Sequence, residues 1–206
     1  MIGACTVRPR AGERGPGVTA TGDWRIGETV PWTSAWTGEG SYALQRSTDF
    51  PGLVELVQKE DQGAGAPLFA AMHITRHRRA MVQHLCHVCG RATPPQDRFL
   101  FPLESGGMVP MGDGTFRYGG NVPPVHLDCA AKAKARCPHL SHHVGKPVPF
   151  PEDEGRMVQR TDILPGFEEL VRAMAIPSDV VLSCYRLYDE AFTRLVETLG
   201  PATRPT

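Results

Sequence analysis

The run Cys86-His-Val-Cys89-Gly90 constrains this chain more than any other feature of its 206 residues. Two thiols separated by two residues reach one point in space from a tight turn. The glycine behind them permits the backbone geometry that frees amides toward the sulfurs. A redox dithiol would open a helix. Here Gly90, Thr93, Pro94 and Pro95 follow, and they do not continue one, so the spacing points to a metal.

The rest of the ligand chemistry is gathered nearby. All eight histidines lie between His73 and His143, and four of the six cysteines fall in the same stretch. Residues 62–151 carry a net charge of +6, against −2 for residues 1–61 and −4 for residues 152–206, so the neutral total conceals a basic block. The second ligand pair is expected at Val125-His126-Leu-Asp-Cys129. Residues i and i+3 on a first helical turn face the same way, and the positive helix end favours a thiolate. Cys129 with Cys137 would complete a four-cysteine site instead, and Cys137 with His139 a three-cysteine, one-histidine site. The dense run Cys137-Pro-His139-Leu-Ser-His142-His143 leaves room for a second metal or for a plain polar loop.

A Cys-x-x-Cys knuckle, a hairpin, and a ligand pair opening a helix together resemble the treble-clef class of zinc fingers. The resemblance covers Cys86 to Cys137 and implies zinc held by Cys86, Cys89, His126 and Cys129. In texture, the Cys-x-x-Cys-Gly and Cys-Pro-His-Leu stretches are similar to uncharacterised zinc-finger proteins of actinobacteria and their phages. Treble-clef nucleases, as that resemblance implies, place a general-base histidine between knuckle and helix. No histidine lies between Gly90 and Val125.

Other zinc chemistries are excluded by pattern. There is no His-Glu-x-x-His, and no histidine has a glutamate two places on, as zinc deaminases require. Four ligands with three thiolates describe a closed, structural site. A binding role is the first expectation, with Arg76, Arg78, Arg79, Lys132, Lys134 and Arg136 as candidate contacts to nucleic acid. The alternatives are a protein-interaction or scaffold module, and a metal-dependent enzyme using the His-rich stretch 126–143. His73 and His77 are read as part of a basic solvated face, since no acidic residue lies between Asp61 and Asp97.

Three segments are expected: an irregular Gly/Pro/Trp-bearing cover over 1–62, a zinc module over 63–150, and a helical pair over 151–206. The fold class is α+β with a small antiparallel sheet. Within the cover, the tip to Thr19 reads as disordered, Trp24, Trp32 and Trp36 as core anchors, and Asp49 to Gln58 as a short helix begun by proline. Leu68 to Ile74 reads as a strand, Arg76 to Leu85 as a helix, and Arg98 to Leu103 as a strand paired with Thr115–Tyr118. A helix begins at His126. Pro165 to Ala175 and Pro177 to Leu199 read as two helices, the second with an apolar stripe of Val181, Tyr185, Tyr188, Phe192, Leu195 and Leu199. No apolar run is long enough to span a bilayer. Met1-Ile-Gly-Ala-Cys5 lacks the regions of a signal peptide, so a reducing cytoplasm is the expected compartment.

Overall fold

A computed structural model describes residues 23–101, 107–137, 140, 146–151, 153–160 and 180–199. In chain order the elements are β1 (Ser34–Trp36), β2 (Tyr42–Arg46), β3 (Val54–Gln58), β4 (Pro67–Met72), α1 (Ile74–Gln83), β5 (Phe99–Leu100), β6 (Gly107–Pro110), β7 (Phe116–Gly120), α2 (Leu127–Arg136), β8 (Val148–Pro149), β9 (Asp153–Arg160), β10 (Val181–Tyr188) and α3 (Glu190–Leu199). The chain is therefore α+β, and the pairings among these strands are antiparallel with one exception. No described helix is long and apolar enough to cross a membrane.

The main sheet is organised by β10. Its sequence, Val-Leu-Ser-Cys-Tyr-Arg-Leu-Tyr, is mostly apolar or aromatic and is buried on both faces, as a central strand must be. One edge of β10 pairs with β9 along its length. The other is shared: Val181 meets Glu55 of β3 in parallel, while Arg186 and Leu187 meet Gly120 and Gly119 of β7. Hairpins β2–β3 and β6–β7 extend the sheet outward. It thus draws strands from the start, middle and end of the chain.

The expected helix from Pro177 to Leu199 is corrected by this strand. Spacings of three and four among Val181, Tyr185, Tyr188 and Phe192 arise by chance when a strand is apolar on both faces. The helix begins only after Asp189, whose carboxylate caps it by accepting the Phe192 amide at 2.7 Å. An aspartate in that place satisfies an amide that has no partner within the helix. The Pro165–Ala175 helix, the N-terminal tip and the side chain of Leu199 lie outside the described residues. Asp49 to Gln58 is also no helix. Gly52, at φ +86°, turns the chain, and Val54–Gln58 returns as β3 against β2.

The strand expected at Arg98–Leu103 pairs with β8 and bridges Val125, not with β7. The turn Gly112-Asp-Gly114 does close a hairpin, but between β6 and β7. The tryptophans divide. Trp36 is buried, Trp32 is half-buried beside the cysteine knuckle, and Trp24 packs edge-on against the exposed Phe69 at 5.8 Å.

Helix α1 overturns the solvated basic face. Arg76 and Arg78 are 1 % and 2 % exposed, and His73 and His77 are buried beside them. Arg76 forks onto the Glu39 carboxylate at 2.6 and 2.7 Å. Such two-point pairing is the strongest contact a guanidinium makes. Arg78 reaches Glu55 at 3.1 Å and donates to the Leu56 and Leu182 carbonyls. His73 caps the helix, its Nδ1 accepting the Arg76 amide while Nε2 donates to the Lys59 carbonyl. The helix uses its positive charge to bind strands to itself.

His77 ties α1 to the sheet. Its Nε2–H donates to the Asn121 carbonyl at 2.6 Å, and Nδ1 accepts from the Ser183 hydroxyl at 3.2 Å. Burial lowers its pKa from 6.5 to about 4. A base whose folded pKa is depressed contributes its full stability above the unfolded pKa, near pH 6.5. That contribution is lost as pH falls toward 4, up to about 3 kcal/mol in all. Urea unfolding at pH 7 and pH 5 is expected to show wild-type stability falling more steeply than that of His77→Gln. Parallel pH profiles for the two proteins would refute this role.

Candidate metal centre

The knuckle is built by backbone before any metal is considered. The Cys86 amide donates to the Arg91 carbonyl at 2.7 Å and the Gly90 amide to the Cys86 carbonyl at 2.8 Å, while Leu85 and Ala92 bridge at its base. Gly90 sits at φ +73°, and a Cβ there would lie 2.6 Å from the Trp32 ring. Trp32 is in turn held by its amide on the Val88 carbonyl at 2.8 Å. Position 90 therefore demands glycine twice, for its backbone angle and for the ring above it. Gly90→Ala is expected to cost about 2 kcal/mol or more in urea unfolding, from the left-handed backbone and the displaced indole together.

The second pair comes from the start of α2. His126 is the N-cap residue, but its side chain makes no capping bond. The first helical amide, Leu127, is satisfied by Asp97, thirty residues back, at 2.8 Å. The His126 ring turns to the knuckle. Its Nε2–H donates to the Ala92 carbonyl at 3.1 Å, and its Nδ1 faces the Cys89 sulfur at 3.5 Å. A carbonyl partner of this kind fixes the tautomer that leaves Nδ1 free to ligate. Cys129 lies on the first turn of the same helix, in an apolar cluster with Cys86, Val88, Phe101, Val125 and Ala130.

The ligand atoms of Cys86, Cys89, His126 and Cys129 all lie within 4.8 Å of one another. A tetrahedron with metal–sulfur bonds near 2.3 Å and a metal–nitrogen bond near 2.0 Å has edges of about 3.5–3.8 Å. The Cys89–His126 edge, at 3.5 Å, is already close to this. The four residues can hold a metal ion.

Electrostatics agree with the donor set. Burial pushes the Cys86 thiol up. Burial, and then the charges of Cys86 and Cys89, push Cys129 up to about 12. Burial opposes ionisation of Cys89 too, but hydrogen bonds from the Arg91 side chain and amide bring it down to about 7. Three sulfurs packed this closely resist ionising together, and a divalent cation among them reverses the sign of that interaction.

Cys137 is excluded from the cluster by distance. It is the C-cap of α2, whereas Cys129 lies on the first turn. The rise between those two positions is about 12 Å along a helix. His139, His142 and His143 lie outside the described residues. The six basic candidates do not share a role. Arg76 and Arg78 are internal, Arg79 pairs with Glu60 at the surface, and Arg136 donates to the Glu28 carbonyl. Lys132 is exposed and Lys134 half-buried.

Sequence reading missed Asp97, Arg91 and the Trp32–Gly90 contact. Each acts across the fold, and only the glycine after the knuckle hinted at one of them. No family model, curated protein or solved structure matches the chain.

Proposed function

We propose that this protein binds one zinc ion through Cys86, Cys89, His126 and Cys129, and that the zinc is structural. The orientation of His126 carries this reading: Nε2 is engaged by Ala92, and Nδ1 completes a set of three thiols within 4.8 Å. Four protein donors of this kind suit zinc, and a filled tetrahedron has no position for a substrate. The knuckle closed by Leu85–Ala92, with ligands on the first turn of α2, supports a treble-clef-like arrangement. Ligand thiols of this kind fit a reducing compartment such as the cytoplasm.

On this reading the chain is a binding or scaffold protein whose zinc staples knuckle to helix. A protein partner is favoured over nucleic acid because Arg76 and Arg78 are buried in pairs with Glu39 and Glu55 and Arg79 is paired with Glu60, which removes three of the six candidate contacts. Elemental analysis of purified protein is expected to give one zinc per chain, and protein lacking stoichiometric metal would overturn the proposal. Electrophoretic titration with DNA and RNA at low salt is expected to show no shift. A salt-sensitive shift abolished by Lys132→Glu would move the reading to nucleic acid.

A further inference from the structure

The four ligands are not equally sheltered. Cys86 is 0 % and Cys129 5 % exposed, whereas Cys89 and His126 are half-buried. Of the three cysteine residues, Cys89 therefore leaves the most surface open to a small polar reagent. It shares one rigid turn with Cys86, closed by the Gly90 amide on the Cys86 carbonyl. Cys129 belongs to a different element.

We infer that Cys89 is the point at which a peroxide opens this centre, forming a Cys86–Cys89 disulfide and releasing the metal. The inference rests on the zinc reading above. The Cys89 thiolate attacks one peroxide oxygen, the O–O bond breaks, and hydroxide leaves, giving a sulfenic acid. The Cys86 thiolate then attacks the Cys89 sulfur, the S–O bond breaks, and a second hydroxide leaves. Two electrons pass from the two sulfurs to the peroxide. His126 and Cys129 alone cannot hold zinc, and the ion departs as Cys129 takes up a proton.

The consequence is local. Without zinc, knuckle and α2 remain joined by the His87 amide on the Pro124 carbonyl, the Phe99–Val125 bridge and the Asp97 cap. The ion pairs of Arg76 and Arg78 lie elsewhere and do not depend on it. Oxidation is therefore a switch on the zinc module alone, reversed by thiol reductant and zinc.

The test uses the zinc-loaded full chain and its Cys137→Ser variant, which removes a half-buried competing thiol. Hydrogen peroxide in molar excess is added, zinc release is followed with a chromogenic chelator, and thiols are trapped by alkylation and mapped by mass spectrometry. The expected result in both proteins is release of one equivalent of zinc with loss of two thiols, recovered as a Cys86–Cys89 disulfide. Hydrogen exchange should rise more at residues 86–92 and 126–130 than in β3 and β10. Zinc retained under peroxide, or a first oxidised ligand other than Cys89, would overturn the inference. Absence of zinc before peroxide is added would instead defeat the structural-zinc reading beneath it.

Discussion

Cys86→Ser is expected to abolish stoichiometric zinc and to melt well below the wild-type protein. Cys86 belongs both to the candidate ligand set and to the apolar cluster beside it, with no exposed surface. Metal affinity in such modules is folding free energy, because the unfolded chain has no assembled site. A thousandfold loss of affinity removes about 4 kcal/mol at saturating metal. For a chain of this length that is roughly 10 °C in Tm. Chelator treatment of the wild-type protein should reproduce the shift, and chelator should leave the variant unmoved. A variant that keeps zinc, or melts at the wild-type temperature, would show that Cys86 is only a buried apolar residue.

The second large effect lies away from the metal. Glu39 has no exposed surface and accepts four hydrogen bonds: two from the Arg76 guanidinium, one from the Trp36 amide at 2.9 Å and one from the Asp61 amide at 3.0 Å. Burial opposes its charge, but the Arg76 hydrogen bonds and the Asp61 amide hold its pKa below 4.5. Glu39→Gln keeps the shape and removes the charge, leaving a buried guanidinium uncompensated and an amide donor aimed at other donors. Breaking one side of such a pair costs about 3–5 kcal/mol. The double variant Glu39→Gln/Arg76→Met should recover part of that loss, because the lone buried charge is gone. Zinc content should not change. A single-variant cost within experimental error in urea unfolding would disprove the structural weight given to this pair.

The candidate centre was legible because ligand spacing is a local property. Cys86 and Cys89 close one turn, His126 and Cys129 one helical turn, and neither pair needs knowledge of the rest of the chain. The helix after His126 was legible for the same reason. The fourth position stayed open in the sequence because His126, Cys137 and His139 all offer suitable atoms. The structure brings the His126 ring to the three thiols and places Cys137 a helix length away, while His139 lies outside the described residues.

The basic helix α1 shows the opposite case. Its arginines look alike in sequence, yet the partners that bury two of them, Glu39 and Glu55, lie far earlier in the chain on separate elements. No local pattern marks which arginine turns inward. The strand β10 was misread because a segment buried on both faces has no period of its own. Its spacings fit a helix as well as a strand, and only its position between β9, β3 and β7 settles the choice.

By itself, then, the sequence determined the candidate donor set: two local pairs of donors, three of them thiols, whose geometry follows from a turn and a first helical turn. Only the tertiary structure decided that His126 lies beside the three thiols, which charges are paired inside the protein, and that Val181–Tyr188 is a central strand. Donor spacing is fixed within a few bonds of backbone. Burial and pairing depend on residues that meet only after the chain has closed on itself.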